Sequence, residues 1–173
     1  LAVINGKYYE LSGLIDQGGD FSIASLEDAL ANSSYSRTLQ FILIKAVIDL
    51  FPESRITIEH AISKGIYGEI HKELPLTPEE VTQIKQRMEQ IILQDEQIKK
   101  LSISRQEAIS IFEAYKMYDK VMLLKGLTLD SVKLYELQGR YDYFYGPMAY
   151  STGIIKHFDL IYYAPGFILR YPP

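Results

Sequence analysis

Between Tyr35 and Phe51 eleven of seventeen positions are apolar, and Pro52 ends the run. Tyr35, Leu39, Ile42, Leu43, Ala46, Val47 and Leu50 recur at i, i+4, i+7 and i+8 spacing, which predicts a helix. Phe41, Ile44 and Ile48 fill much of its other face. A helix that is apolar almost all round must be covered on every side, so it belongs in the middle of the fold. Leu39, Leu43, Val47 and Leu50 are its expected core residues. Everything else in the chain has to be arranged as a cover for this helix.

The flanking segments read as strands and amphipathic helices. Asn5-Gly6 between two β-prone runs, from Leu1 to Leu11, predicts a hairpin, because a type I′ turn needs positive φ at both central residues. Asp16 to Asp20 is a polar, Gly-rich turn; Phe21-Ser-Ile-Ala-Ser25 is a candidate third strand, and Leu26 to Ser34 a polar connector. Ile56–Ile58 and Ile66–Ile70 predict two strands around Ser63-Lys64-Gly65. Thr77-Pro78-Glu79-Glu80 is a strong helix start, with Val81, Ile84, Met88, Ile91 and Ile92 as one apolar stripe. Ser104-Arg-Gln-Glu107 repeats the capping signal for a shorter helix with Ala108, Ile111, Phe112 and Tyr115 inward. Lys120–Leu124, Val132–Leu137, Tyr141–Tyr145 and Phe158–Tyr163 read as further strands. Helices and strands are segregated rather than alternating. The expected class is therefore α+β: a mostly antiparallel sheet packed around a buried central helix, with an N-terminal β-hairpin appendage.

The 173 residues suffice for one substantial core, or one core and a small appendage. A net charge of −4 gives no electrostatic sign of nucleic-acid binding. There is no cysteine, which excludes disulfides and thiolate metal sites and fits a reducing, cytoplasmic compartment. No uncharged apolar run reaches the length of a membrane span, so no membrane partner is expected. The first residue is Leu, and nothing caps the final Tyr171-Pro172-Pro173, so the chain reads as a piece of a longer protein.

Three segments carry a family resemblance. They are the helix ending at Pro52, the run Arg55-Ile-Thr-Ile-Glu-His-Ala-Ile-Ser-Lys-Gly-Ile-Tyr67, and Tyr141-Asp-Tyr-Phe-Tyr-Gly-Pro-Met148. Together they resemble the editing domain of threonyl-tRNA synthetases. Thr77-Pro-Glu-Glu80 with Arg87-Met88, Ser104-Arg-Gln-Glu-Ala108, Gly146-Pro147 and Ala164-Pro-Gly166 resemble that domain's further caps and loops, over roughly Tyr35 to Tyr171. The hairpin resembles the latter half of a TGS module, which precedes that domain in the family. The resemblance implies a partial TGS-like segment over 1–30 and a degenerate editing-like domain over 34–173.

The family carries His-x-x-x-His on the helix and Cys-x-x-x-His after the Asp of the later segment. Counting back from Pro52, its histidines fall on Arg37 and Phe41; counting on from Asp142, its Cys and last His fall on Phe144 and Met148. Arg has no lone pair for a metal, the two Phe offer only apolar surface, and Met is a weak ligand. No metal site and no catalytic residue are expected. Asp142 and Lys120 stand where the family has its Asp and the Lys of Tyr-Lys-Val. Arg37, Phe41, Lys120, Asp142, Phe144 and Met148 are thus the expected ligand pocket. Its cations suit phosphate or carboxylate and its aromatic wall suits a base, so a nucleoside, a nucleotide or RNA is the expected ligand. The competing reading is a structural ion pair in a filled pocket. Without His there is no general base near neutral pH. His60, His71 and His157 lie elsewhere, at spacings that match no ligand pattern. Tyr141, Tyr143, Tyr145, Tyr150, Tyr162 and Tyr163 read as packing on a half-buried sheet rather than as a base-stacking surface.

Thr57-Ile-Glu-His60, Ser63-Lys-Gly65 and Tyr35-x-Arg37-x-Leu39-x-Phe41 also resemble the versions found in bacterial uridine kinase-like proteins, where an editing-like domain precedes a P-loop kinase domain. No P-loop sequence occurs in these residues. This second resemblance implies an attached C-terminal kinase domain as partner, with ATP and Mg confined to it and no cofactor in this chain. The chain's own role would then be non-catalytic recognition or regulation. The alternatives are a metal-free tRNA-editing deacylase and a scaffold that forms a homodimer.

Overall fold

The computed structural model describes residues 2–4, 7–9, 25–62 and 65–172, and the side chains of 33–59 and 65–172. The elements in chain order are β1 (Ala2–Ile4), β2 (Lys7–Tyr9), α1 (Ser25–Leu50), β3 (Arg55–Ile62), β4 (Gly65–His71), α2 (Pro78–Leu93), β5 (Lys99–Ser104), α3 (Arg105–Ala114), α4 (Tyr118–Lys125), β6 (Ser131–Leu137), β7 (Arg140–Asp142), β8 (Asp159–Tyr163) and β9 (Gly166–Arg170). Every strand pairing among the described residues is antiparallel. The class is α+β, as the segregated helices and strands predict. Two compact units divide the chain: Leu1–Gln97 with Gly146–Pro173, and the inserted Ile98–Tyr145.

In the first unit α1 supplies the core. Leu39, Phe41, Ile42, Leu43, Ala46 and Val47 are all fully buried. The all-round apolar pattern produces this, since no face of the helix can be left to water. Two expectations are corrected. The stretch Leu26–Ser34 is helical rather than a connector, since α1 begins at Ser25. Leu50 is exposed, because it lies in the last turn just before Pro52. The expected hairpin is present as β1 and β2, in the register Ala2↔Tyr9 and Ile4↔Lys7. Its turn, the turn at Asp16–Asp20, and Phe21–Ala24 of the candidate third strand lie outside the described residues.

A four-stranded sheet in the order β3-β4-β9-β8 belongs to the same unit. It contributes Ile66, Ile70, Leu160, Phe167 and Leu169 to buried positions. Strand β9 was not expected from the sequence. Helix α2 buries Val81, Ile84, Met88 and Ile91 on the predicted stripe. It opens with the predicted capping box: Thr77 Oγ1 accepts from the Glu80 N–H at 3.2 Å, and Glu80 Oε1 accepts from the Thr77 N–H at 3.0 Å. Burial alone would raise the Glu80 carboxyl, but hydrogen bonds from Lys72 and Thr77 outweigh it and hold the group below its ordinary range. Thr77→Ala removes one half of the box. It is expected to cost about 1 kcal/mol of unfolding free energy in urea titrations, without changing the slope.

The second unit is a three-stranded sheet in the order β5-β6-β7 with α3 and α4. Ala108, Ile109, Phe112, Val121, Leu124, Val132 and Leu134 form its core. Here three further expectations change. Lys120–Leu124 lies in helix α4, not a strand. Strand β5 was not foreseen. Only Tyr141 and Asp142 of the expected strand Tyr141–Tyr145 are paired, as part of β7. No helix among the described residues is long and apolar enough to cross a membrane.

Candidate functional site

The six expected site residues fall three in each unit: Arg37, Phe41 and Met148 in the first, Lys120, Asp142 and Phe144 in the second. In the first unit the site is a helix face holding a loop. Arg37 Nη1 donates to the Pro147 carbonyl at 3.0 Å. The next residue, Thr38, is fully buried; its Oγ1 donates to the Ser34 carbonyl at 2.8 Å and accepts from the Ala149 N–H at 2.9 Å. Two successive residues of α1 thus hold the loop from both sides of Met148. Glycine at 146 suits the loop in its backbone and in its closeness to Arg37. Its φ is +129°, and a Cβ would lie 2.5 Å from the Arg37 guanidinium carbon. Phe41, one turn further along, is fully buried, and Met148 is 3% exposed. Two positions that hold imidazole in the resembling family are therefore buried apolar side chains, and a third is a guanidinium tied to a backbone carbonyl.

In the second unit Lys120, on α4, pairs with Asp142, on β7. Asp142 is fully buried, and its Oδ1 also accepts from the Tyr143 N–H at 2.7 Å. Its Oδ2 has no hydrogen-bond partner among the described residues. The Lys120 ammonium lies 5.6 Å from the centre of the Phe112 ring and 5.8 Å from that of Phe144. Both rings are within cation–π range. Lys120, Asp142 and Phe144 are therefore brought together, and the carboxylate takes Lys120 as its counter-charge.

Arg140 joins this cluster, and sequence reasoning passed over it. Its guanidinium stacks 3.6 Å from the centre of the Tyr115 ring, and Nη2 reaches Met117 Sδ at 3.5 Å. Burial lowers its pKa, against raising contributions from Tyr115 and Asp142. The only available signal was its place two residues before Asp142 on a strand, which puts both side chains on one face.

His71 and His157 bond other groups. His71 Nε2 lies 3.0 Å from Thr57 Oγ1 and 3.9 Å from Glu69 Oε1. The backbone of His157 bonds Tyr35, whose hydroxyl donates to its carbonyl at 2.5 Å and accepts from its N–H at 3.1 Å. The His60 side chain lies outside the described residues. Among the described residues no three His, Cys, Asp or Glu groups converge as a metal site would need.

No family model matches the chain. It is similar to the threonine–tRNA ligase of Carboxydothermus hydrogenoformans, 33% identical over 161 residues, covering 92% of this chain and 25% of the ligase. It is likewise similar to the threonine–tRNA ligase of Paraburkholderia phytofirmans, 31% identical over 159 residues, covering 91% of this chain and 25% of the ligase. The threonine–tRNA ligase of Rickettsia akari is 30% identical over 162 residues, covering 93% of this chain and 26% of the ligase. The chain spans about a quarter of the length of these relatives. It is related in sequence to part of a tRNA ligase, in agreement with the first of the two resemblances. The second is corrected: these relatives are tRNA ligases, so the uridine kinase-like assignment falls, and with it the attached kinase domain as partner. The short matches that suggested it, such as Thr57–His60, are too few to outweigh similarity along nine-tenths of the chain.

Proposed function

We propose that this chain is an editing-type domain of a threonine–tRNA ligase relative that binds the aminoacyl end of a tRNA and does not hydrolyse it. The observation that carries this reading is the Arg37–Pro147 hydrogen bond. In the resembling family a histidine stands at position 37, on the face where hydrolysis takes place. Here the position is a permanent cation bonded to a backbone carbonyl, and it cannot take a proton from water. The burial of Phe41 and Met148 supports the same conclusion. The similarity to threonine–tRNA ligases supports tRNA as the ligand.

A deacylase is the competing reading, since the similarity to ligases favours it and Asp142 is retained. Filter binding with tRNA(Thr), together with serine release from seryl-tRNA(Thr), separates the two. The expected result is saturable tRNA binding with serine released at the spontaneous rate. Release above that rate, lost in Asp142→Asn, establishes the deacylase instead. Absence of tRNA binding removes both.

A further inference from the structure

The sheet β3-β4-β9-β8 ends in two edge strands, and they are built differently. The pairing of β3 with β4 shifts register between Ile58 and Ala61, so a bulge interrupts that ladder. A bulge and charged side chains, here Arg55 and Glu59, discourage another strand from adding to an edge. Strand β8 has no such interruption. It pairs with β9 in one unbroken register, from Asp159↔Arg170 to Tyr163↔Gly166. Its sequence, Asp159-Leu-Ile-Tyr-Tyr163, holds neither proline nor lysine. Tyr163 and Gly166 close the hairpin around Ala164-Pro165, so Tyr163, Ile161 and Asp159 turn their backbone groups to β9. Leu160 and Tyr162 turn theirs to the open side. A regular edge of this kind is a template for another strand, and a second copy of β8 fits it. Antiparallel pairing about Ile161 sets Leu160 against Tyr162 of the second copy, bonded through their backbones in both directions. Leu160 is buried on the core face, so the half-buried Ile161 lies on the outer face and meets its own counterpart there.

One contact stands in the way of that pairing. The Asp159 carboxylate folds back on its own strand, and its Oδ1 accepts from the Leu160 N–H at 2.8 Å. Lys85, on α2, holds the same oxygen at 2.9 Å. The hydrogen bond from Lys85, helped by that from the Leu160 N–H, keeps the carboxyl below its ordinary range against the effect of burial. We propose that Asp159, anchored by Lys85, is a guard that keeps β8 from pairing with β8 of a second copy. The carboxylate takes up the Leu160 N–H, one of the two outward-facing donors on the strand, so an incoming strand finds that bond already made. It also sets a charge beside the edge, which an incoming strand would have to strip of water. The twofold symmetry of the pairing makes both penalties act twice in each dimer. The inference stands apart from the tRNA reading, since it concerns only the edge of the sheet in the first unit.

The test is sedimentation velocity over about a hundredfold range of protein concentration, with circular dichroism to show that each variant is folded. The samples are the unaltered chain, Asp159→Ala, Asp159→Asn and Asp159→Ala/Ile161→Lys. The unaltered chain is expected to be monomeric. Asp159→Ala is expected to self-associate about tenfold more tightly or better, because two edge donors per dimer become available. Asp159→Asn keeps a side-chain carbonyl that can accept from the Leu160 N–H, and is expected to stay with the unaltered chain. Ile161→Lys sets like charges face to face across the symmetry axis, and is expected to return Asp159→Ala to the unaltered level. If Asp159→Ala behaves as the unaltered chain does, there is no guard. If Asp159→Asn associates as strongly as Asp159→Ala, the bond to the Leu160 N–H is not what closes the edge. If Ile161→Lys leaves the Asp159→Ala association intact, the contact lies elsewhere and the β8 pairing falls.

Discussion

Leu43→Ala is expected to lower the unfolding free energy by about 2–5 kcal/mol, the range for removing a fully packed leucine side chain. Leu43 is fully buried, and so are Leu39 and Val47, its neighbours one turn away on either side. The cost of such a substitution depends on how far the surroundings can collapse into the space left. Here collapse is restricted, because Phe41, Ile42 and Ala46 are buried too and α1 is hemmed in all round its axis. The loss should therefore fall in the upper part of the range. Urea unfolding followed by circular dichroism measures it, with an unchanged slope showing that the native state is otherwise intact. A loss under about 1 kcal/mol would place α1 at the surface and remove the basis of the fold assignment.

The burial of α1 was legible in the sequence because an apolar pattern on all sides permits only one solution. Its first ten residues were not. In Ser25–Ser34 the apolar residues Leu26, Ala29 and Leu30 stand at i, i+3 and i+4 and, with Ala31, are good helix formers, but the polar Glu27, Asp28, Asn32, Ser33 and Ser34 made the stretch read as a connector. Lys120–Leu124 shows the opposite failure. A run of four apolar residues does not separate strand from helix, and the sheet that would have decided it is distant in sequence. Strands β5 and β9 are short, with two or three apolar residues each, and take their conformation from the strands they pair with, β6 and β8. Both helix caps at Thr77 and Ser104 were legible, since capping is set by residues within one turn.

The candidate site divides along the same line. The identities at 37, 41, 144 and 148 could be read by counting from Pro52 and Asp142, because helix and loop lengths fix those positions. The partners of the charges could not. Lys120, Arg37 and Asp142 allowed several pairings, and the choice of Lys120 for Asp142 depends on α4 being a helix, which the local sequence misread. The Arg37–Pro147 bond depends on a loop 110 residues away and on a glycine with positive φ. The stacking of Arg140 on Tyr115 left no periodic trace at all.

Lys120→Met should be the most damaging change in the second unit, at about 3–5 kcal/mol, because it removes the cation bonded to a buried carboxylate and leaves only the longer-range charge of Arg140. Asp142 has no solvent exposure, and its remaining bond, from the Tyr143 N–H, does not replace a cation. Methionine retains the contact with the Phe112 and Phe144 rings, so the loss reports charge rather than packing. Partial exposure of Lys120, 29% of its side chain, moves the expectation toward the lower end of the range. The double variant Lys120→Met/Asp142→Asn removes both charges and should recover most of the loss, since a buried ion pair replaced as a unit is close to neutral. A Lys120→Met cost below 1 kcal/mol would show that water reaches the Asp142 carboxylate. That outcome would reopen the site as a place where Asp142 acts on a ligand, and would shift weight from the binding reading to the deacylase.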